Sequence, residues 1–454
     1  MKKQIITLAV AALVLSSCGI YTKYKPVADV PEQLFGTEVA AGDTLSNIGT
    51  LGWQEIFTDP QLQELIAQGL KNNTDLQSAH WRVEEARASL SAARLAYLPS
   101  FALSPQGTVS SFDKGKAAQV YSLPVTAAWE IDIFGRLTNA KRRAKAVYAQ
   151  SQEYESAVKT QLIANMANAY YTLLMLDAQL EIAKDTEVKW KESVRVMKAL
   201  KDAGQGNEAG LAQTEATYYS ICTTVYDLTE QINQVKNSLC LMLGDTPQDI
   251  QRGKLEGQSI PQDLSVGVPL QILANRPDVK SAELGLAQAF YTTNEARSAF
   301  YPSITLSGSA GWTNDAGGLI LNPGKLLASA VGSLTQPLFN GGTNIARLKI
   351  AKAQQEEAKL AFTQALLNAG AEVNNALKQS QTARDKAEFY GKQIESLHTA
   401  VKSTQLLMQH GSSTYLEVLT AQQTLLTAQL TQIGNRFNEI QGVVNLYQAL
   451  GGGR

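Results

Sequence analysis

Two copies of one pattern constrain this chain more than any other feature. Arg297–Trp312 reads RSAFYPSITLSGSAGW, and Arg94–Ser104 reads RLAYLPSFALS. Arg, Ala, Pro, Ser, Leu and Ser recur in register at a separation of roughly 200 residues. In each copy a helical period runs into a proline, Pro99 or Pro302, which pushes the preceding residue out of the α region. The residues that follow alternate between apolar and small-polar, the period of a strand with two unlike faces. The fold must therefore contain a helix feeding a two-faced strand, twice. A length of 454 residues alone suggests about three domains, but the repeat argues for one architecture built from two halves.

After Pro99, Phe101, Leu103 and Val109 share one parity, with Ala102, Ser104, Gln106, Thr108 and Ser110 on the other. Asp113–Lys116 is a polar turn, and Tyr121, Leu123, Val125, Ala127 and Trp129 then oppose Ser122, Thr126 and Glu130. The pattern predicts a hairpin over about 100–131, with Trp129 at the end where an aromatic would meet a membrane interface. In the second half Ile304, Leu306, Ala310 and Trp312 oppose Ser303, Thr305, Ser307, Ser309 and Thr313. A loop over Asn314–Gly324 and a weaker strand complete a hairpin over about 302–339. Each strand has about ten residues, enough to cross a bilayer when tilted.

Long helical stretches follow, about Arg136–Leu200 and Gly342–Gln409. The second, free of proline, would run on the order of 100 Å. Apolar seams with alternating steps of three and four come next. One is Leu416, Leu419, Gln423, Leu426, Leu430, Ile433, Phe437, Ile440, Val444 and Tyr447; the other starts at Leu211 and Thr214 and continues in the same phase to Leu239 and Met242. A sustained seven-residue repeat imposes left-handed supercoiling on packed helices. The chain thus divides into a first repeat over 59–244, a linker over 245–268, a second repeat over 269–450 and a frayed tail over 451–454. Asp75 reads as the cap of the helix that runs to Tyr97.

Residues 1–17 read as a signal peptide. Lys2 and Lys3 precede an apolar run, Ile5–Leu15, too short to span a bilayer. Leu15-Ser16-Ser17-Cys18 resembles a bacterial lipobox, which implies cleavage before Cys18 and lipid on its thiol and new amino terminus. Residues 18–58, with Pro26, Pro31, Gly36 and Gly42, read as an extended tether. No later segment holds ~18 unbroken apolar residues, so no transmembrane helix is expected. A formal charge of -1 leaves no basic field to hold nucleic acid. On one helix Cys222 and Cys240 would lie about 27 Å apart, so they read as buried thiols rather than a disulfide.

Strands with one lipid-facing and one wet side must close into a barrel, because an open edge cannot survive in hydrocarbon. Four strands cannot close alone, and eight enclose only side chains. The expected fold is a mixed membrane β-barrel and α-helical barrel. A homotrimer forms a 12-stranded barrel, four strands per protomer, continued by a long coiled-coil α-barrel. The small polar parity, Ser, Thr, Gln and Gly, would line a water-filled lumen.

Four further motifs carry a resemblance. Trp129–Arg136 (WEIDIFGR) is similar to the WELDLFGR signature of lipid-anchored TolC-type channels. Arg276–Val279 with Ala282 and Glu283 resembles their RPDVxxAE motif, and Ala299–Ile304 their AxFFPSI motif. Pro337–Gly342 resembles PLFDGG, with Asn340 in place of the usual Asp. The resemblance covers nearly the whole mature chain. It implies the outer-membrane component of a tripartite drug-efflux system, an OprM-like lipoprotein of a Gram-negative outer membrane that reaches into the periplasm. Its implied partners are a periplasmic adaptor and an inner-membrane transporter of the resistance-nodulation-division type. No cofactor, metal or catalytic residue is implied.

In that family the turn into the last helix lies at the periplasmic tip, where a threefold ring of acids narrows the pore. The resemblance puts Glu417 in that ring, Thr420 at a second acidic position that this chain lacks, and Leu416 and Tyr415 beside the constriction. Gly206 and Gly411 mark the tip turns that engage partners. Gly135, Gly341 and Gly342 sit where a strand must turn sharply into a helix, and glycine tolerates the dihedrals needed. Two other readings share parts of this pattern. One is a polypeptide secretion duct of the same fold; the other is a non-conducting, lipid-anchored coiled-coil protein.

Overall fold

The computed structural model describes residues 24–25, 51–111, 113, 115–261, 276–313, 325–410 and 413–453. Cys18, Gly411, the signal peptide, tether residues 18–23 and 26–50, the loop after Thr313, and residues 262–275 at the end of the linker and the start of the second repeat lie outside the described residues. The chain forms two compact units that cut across the sequence halves. One takes Met1–Asp29, Trp81–Glu153 and Lys280–Ala365; the other takes Val30–His80, Tyr154–Val279 and Leu366–Arg454.

The elements are α1 (Trp53–Ile56), α2 (Pro60–Asn72), α3 (Thr74–Leu95), β1 (Ser100–Leu103), β2 (Gln106–Ser110), β3 (Ala118–Ile131), α4 (Arg136–Asp202) and α5 (Glu208–Leu243). The second half adds α6 (Pro277–Ser298), β4 (Ser303–Thr313), β5 (Lys325–Thr335), α7 (Thr343–Gln409) and α8 (Tyr415–Ala449). Helices α4 and α7 each hold 67 residues, about 100 Å at the α-helical rise.

The first unit contains one antiparallel sheet. Strand β3 pairs with β1 and β2 on one side and with β4 on the other, and β4 pairs with β5. Pairs Leu103↔Val125 and Gln106↔Ser122 follow one register, so β1 and β2 are a single strand interrupted at Ser104–Pro105. Proline has no N–H to give the ladder; Ser104 still donates to the Pro124 carbonyl at 3.0 Å. The expected four strands are present, and the two hairpins join through ten β3–β4 pairs, from Ser122↔Thr313 to Ile131↔Ile304. The second hairpin ends earlier than expected. β5 stops at Thr335, just before Pro337, and Leu338 and Phe339 stand 93% and 88% exposed.

The second unit is helical. Asp59 caps α2 through a 2.9 Å hydrogen bond from the Gln61 N–H, with Pro60 at the first helical position. Leu62, Leu65 and Ile66 are buried, as are Ile163, Met166, Tyr170 and Tyr171 of α4. Four local expectations are corrected. The cap of α3 is Asn73, whose Oδ1 accepts from the Leu76 N–H at 3.0 Å, because Asp75 already lies inside the helix. Cys222 is only half-buried, whereas Cys240 is buried; both thiols are free. In the α8 seam Leu416 and Gln423 are exposed, because the buried stripe at this end of the helix runs through Val418 and Leu419. The C-terminal glycines are buried rather than frayed. Gly451 and Gly453 adopt left-handed φ of 76° and 91°, and a Cβ on Gly452 would lie 2.6 Å from Cδ2 of Tyr447.

Candidate conduit face and helix tip

Strand register decides which residues share a face. On one face lie Phe101, Leu103, Tyr121, Leu123, Val125, Ala127, Trp129 and Ile131, paired onward to Ile304, Leu306, Ala310, Trp312 and Leu334. The other face carries Ser100, Thr108, Ser122, Thr126, Glu130, Ser303, Thr305, Ser307, Ser309, Ser329, Ser333 and Thr335. Hydroxyls on this second face bond to neighbouring strands. Ser309 and Ser329 meet at 2.8 Å, and Thr126 Oγ1 donates to the Ala102 carbonyl at 3.2 Å. Val120 and Val331 are exceptions, exposed apolar side chains on the polar parity. Phe101, Leu103, Val109, Val125, Leu306, Trp312 and Leu334 are exposed on the apolar face. Such a surface loses free energy in water at roughly 25 cal/mol per Å² and none in hydrocarbon. Within the chain, neither β1/β2 nor β5 has a second partner strand among the described residues.

The segment WEIDIFGR builds the junction between this sheet and α4. Trp129 Nε1 donates to the Tyr97 carbonyl at 2.9 Å, tying β3 to the end of the preceding helical segment. Glu130 pairs with Arg136 across the turn. Asp132 accepts from the N–H groups of Leu137 and Thr138 at 2.9 and 2.7 Å and from the Thr138 hydroxyl at 2.7 Å, filling the donor end of α4. Phe134 stacks on Tyr301 with centroids 5.2 Å apart. Gly135 has φ 66°, a left-handed value that a side chain would strain. In the second copy Gly341 and Gly342 have φ 63° and 81°. There Asn340 offers its Oδ1 to the Asn344 N–H at 3.5 Å, a weaker cap than that of Asp132. Pro99 and Pro302 immediately precede β1 and β4. Loss of the Asp132 cap leaves two N–H groups without an acceptor. Asp132→Ala is expected to cost about 1–2 kcal/mol, read as a lower apparent melting temperature with unchanged helix content by circular dichroism.

At the far ends of the long helices, α4 turns into α5 over Ala203–Asn207. The left-handed turn residue is Gly204, φ 74°, rather than Gly206. Gly206 sits in a tight spot instead: a Cβ there would lie 3.1 Å from the Lys201 amide nitrogen. Asn207 Oδ1 accepts from the Gly210 N–H at 2.8 Å, and Lys201 pairs with Glu208 across the turn. On the other side α8 begins at Tyr415. Tyr415 is half-buried against a cluster of Trp190, Ile221 and Leu419, and shares a hydrogen bond with Ser193; burial raises its pKa. Leu416, Glu417 and Thr420 are exposed. The four expected tip residues therefore divide, with Tyr415 anchoring the helix and the other three facing outward.

Glu417 occupies the third position of α8 and reaches back to the turn. Ser413 donates to its Oε2, and the Thr414 hydroxyl to its Oε1 at 3.2 Å. These bonds, with that from the Ser413 hydroxyl the largest, hold its carboxyl below the usual glutamate range. The acid thus has a local reason to be there, as a capping group at a helix N-terminus. The sequence reading did not single out the stripe beyond it. Thr420, Thr424, Thr427 and Thr431 are all exposed, each hydroxyl bonded to the carbonyl one turn back at 2.7–3.0 Å. Their spacing of four, three and four residues marks one helix face and was readable as such. No group of three or more His, Cys, Asp and Glu gathers as a metal site among the described residues.

The family model described as Outer membrane efflux protein matches residues 65–245 and 268–452. The chain is 30% identical over 446 residues to the cation efflux system protein CusC of Escherichia coli O6:H1, covering 97% of each chain. It is 27% identical over 473 residues to the antibiotic efflux pump outer membrane protein ArpC of Pseudomonas putida, covering 100% of this chain and 96% of that one. Among solved structures, the open state of the Neisseria gonorrhoeae MtrE outer membrane channel superposes with a TM-score of 0.84 at 28% identity, covering 95% of this chain and 98% of the other.

Proposed function

Because the chain belongs to the outer membrane efflux protein family, and is an outer-membrane efflux channel, we propose that three copies close one 12-stranded barrel. Each gives four strands, and the trimer acts as a passive duct in a tripartite pump. The observation that carries this reading is the register. It sorts apolar residues to one face and hydroxyls to the other, while both sheet edges lack a partner strand among the described residues. An edge in hydrocarbon costs several kcal/mol per unsatisfied group, and head-to-tail pairing of β5 with the β1/β2 strand of the next copy removes it. Lipid on Cys18 anchors the amino terminus, and the adaptor and an inner-membrane transporter engage the turns at Gly206 and Gly411. Drugs are the favoured cargo on the motif resemblance. Metal cations are the second reading, favoured by the likeness to a protein named for cation efflux.

Purified protein should run as a heat-resistant trimer and conduct ions in planar bilayers; a protein that never conducts overturns the duct. Deletion should sensitise cells to organic drugs, with protein export intact. Sensitisation only to metal salts would favour the second reading.

In the trimer Glu417 forms a ring of three carboxylates that draws cations to the tip. Glu417→Gln is expected to lower the cation-to-anion permeability ratio by roughly twofold to tenfold, read from reversal potentials. Since its pKa is lowered, wild-type selectivity should persist below the ordinary glutamate range and fade as pH drops through the depressed value. Unchanged selectivity in the variant removes Glu417 from the gate.

A further inference from the structure

Tyr97, the last turns of α3 and the first turns of α4 line an open cavity of about 340 Å³. Its walls carry Arg94, Lys141, Arg142 and Lys145 together with Tyr97, and no acid. None of the four cations makes an ion pair with a described residue, although carboxylates elsewhere in the unit are paired, as in Arg143–Glu295 and Arg136–Glu130. Arg142 Nη1 is buried and meets no acceptor among the described residues. Lys141 Nζ lies 5.4 Å from the Tyr97 ring centre, and the Tyr97 hydroxyl donates to Thr138 Oγ1 at 3.0 Å. A buried guanidinium nitrogen without a partner, among three more cations, is costly unless an anion completes the site.

The placement identifies the anion's source. α4 starts at Arg136, directly after β3, so Lys141 to Lys145 lie roughly 7–14 Å along the helix from the strand end. The headgroup layer adds roughly 5–8 Å beyond the hydrocarbon on each side, within reach of these long side chains. From Tyr97 the chain passes to Leu98, Phe101 and Leu103, all exposed, the last two on the apolar face of the sheet. A basic pocket whose Tyr97 leads directly along the chain into exposed apolar residues fits a molecule with a charged head and a hydrocarbon tail. We propose that the cavity holds the phosphate of an anionic phospholipid from the periplasmic leaflet, with its acyl chains along Leu98, Phe101 and Leu103. The proposal rests on the reading of the sheet as a membrane barrel.

The test is native mass spectrometry of the full-length protein in detergent, titrated with phosphatidylglycerol, phosphatidylcholine or inorganic phosphate. Wild type should retain phosphatidylglycerol in preference to both. Lys141→Gln/Arg142→Gln should weaken that binding on the order of tenfold or more, whereas Arg142→Lys should keep most of it. Equal retention of the two lipids by wild type overturns the site without needing any variant. Tighter binding of inorganic phosphate than of lipid overturns the lipid as its source. A double variant that loses its trimer but keeps its lipid assigns the cations to a neighbouring copy and also overturns the proposal. Bilayer conductance of the same wild-type sample separates the two readings. A conducting protein with no lipid preference sinks this site alone, and a non-conducting one sinks the barrel.

Discussion

Gly311→Val should abolish assembly of the channel. Gly311 sits in β4 opposite Pro124 of β3, at the seam where the two halves of the chain pair. A Cβ built there would lie 2.5 Å from Pro124 Cα and closer still to the Leu123 carbonyl oxygen. Both are backbone atoms, so no rotamer change relieves the contact and β3 must move away from β4. Overpacking a core costs about 1–3 kcal/mol when side chains can give. Here the obstacle cannot give, and the strand pair that unites the hairpins opens. The expected result is loss of heat-resistant trimer and of bilayer conductance. Two other glycines of the sheet provide a scale. A Cβ at Gly308 would lie 3.2 Å from the Ser329 carbonyl oxygen, and at Gly332 3.4 Å from a Leu306 methyl. Trimer yield should therefore fall slightly for Gly308→Ala and stay near wild type for Gly332→Ala. Normal yield of Gly311→Val would mean that β3 and β4 are not this close.

The second large effect is expected at Arg276. Its side chain is 6% exposed, and its guanidinium reaches Asp278 at 3.0 and 2.7 Å and Glu372 at 2.6 Å. Nη1 donates to the Ala449 carbonyl at 2.8 Å, at the end of α8. One buried cation thus holds the start of α6, the middle of α7 and the end of α8. Removing one partner of a buried pair costs about 3–5 kcal/mol. Asp278 and Glu372 are half exposed and can regain water, so Arg276→Ala belongs at the low end, about 3 kcal/mol. Arg276→Lys should fall between, since an ammonium cannot reproduce the two-pronged contact. The measurement is apparent melting temperature at fixed scan rate, and a shift within one degree or so of wild type would show that the network contributes nothing.

The same network carries a pH dependence. Burial pushes the Asp278 carboxyl up, but the hydrogen bonds and charge of Arg276 outweigh it and leave its pKa below the usual aspartate range. A depressed carboxylate stabilises the fold above its unfolded pKa, and that contribution is lost as pH falls through the folded value. Wild type should therefore keep its melting temperature into more acid solution than Arg276→Ala, whose Asp278 titrates nearer its ordinary range.

What near neighbours along the chain encode was legible without any structure. Alternation at 101–110 and 303–313 assigned each side chain to its face, because a strand's period of two leaves no other choice. Pro99, Pro302, Gly135, Gly341 and Gly342 marked the changes of direction, because each restricts or permits particular backbone angles. The motif WEIDIFGR was visible, yet its division of labour was not: cap, ion pair, stack and turn each need a partner in three dimensions. Only the tertiary structure decided that β3 pairs with β4, that Arg276 meets residues nearly a hundred and more positions away, and that the terminal glycines pack beside Tyr447. It likewise turned Leu416 outward and Tyr415 inward at the tip. Local periodicity is set by the backbone itself, whereas these contacts depend on which distant surfaces exclude water together, and no short stretch of sequence contains both sides of such a contact.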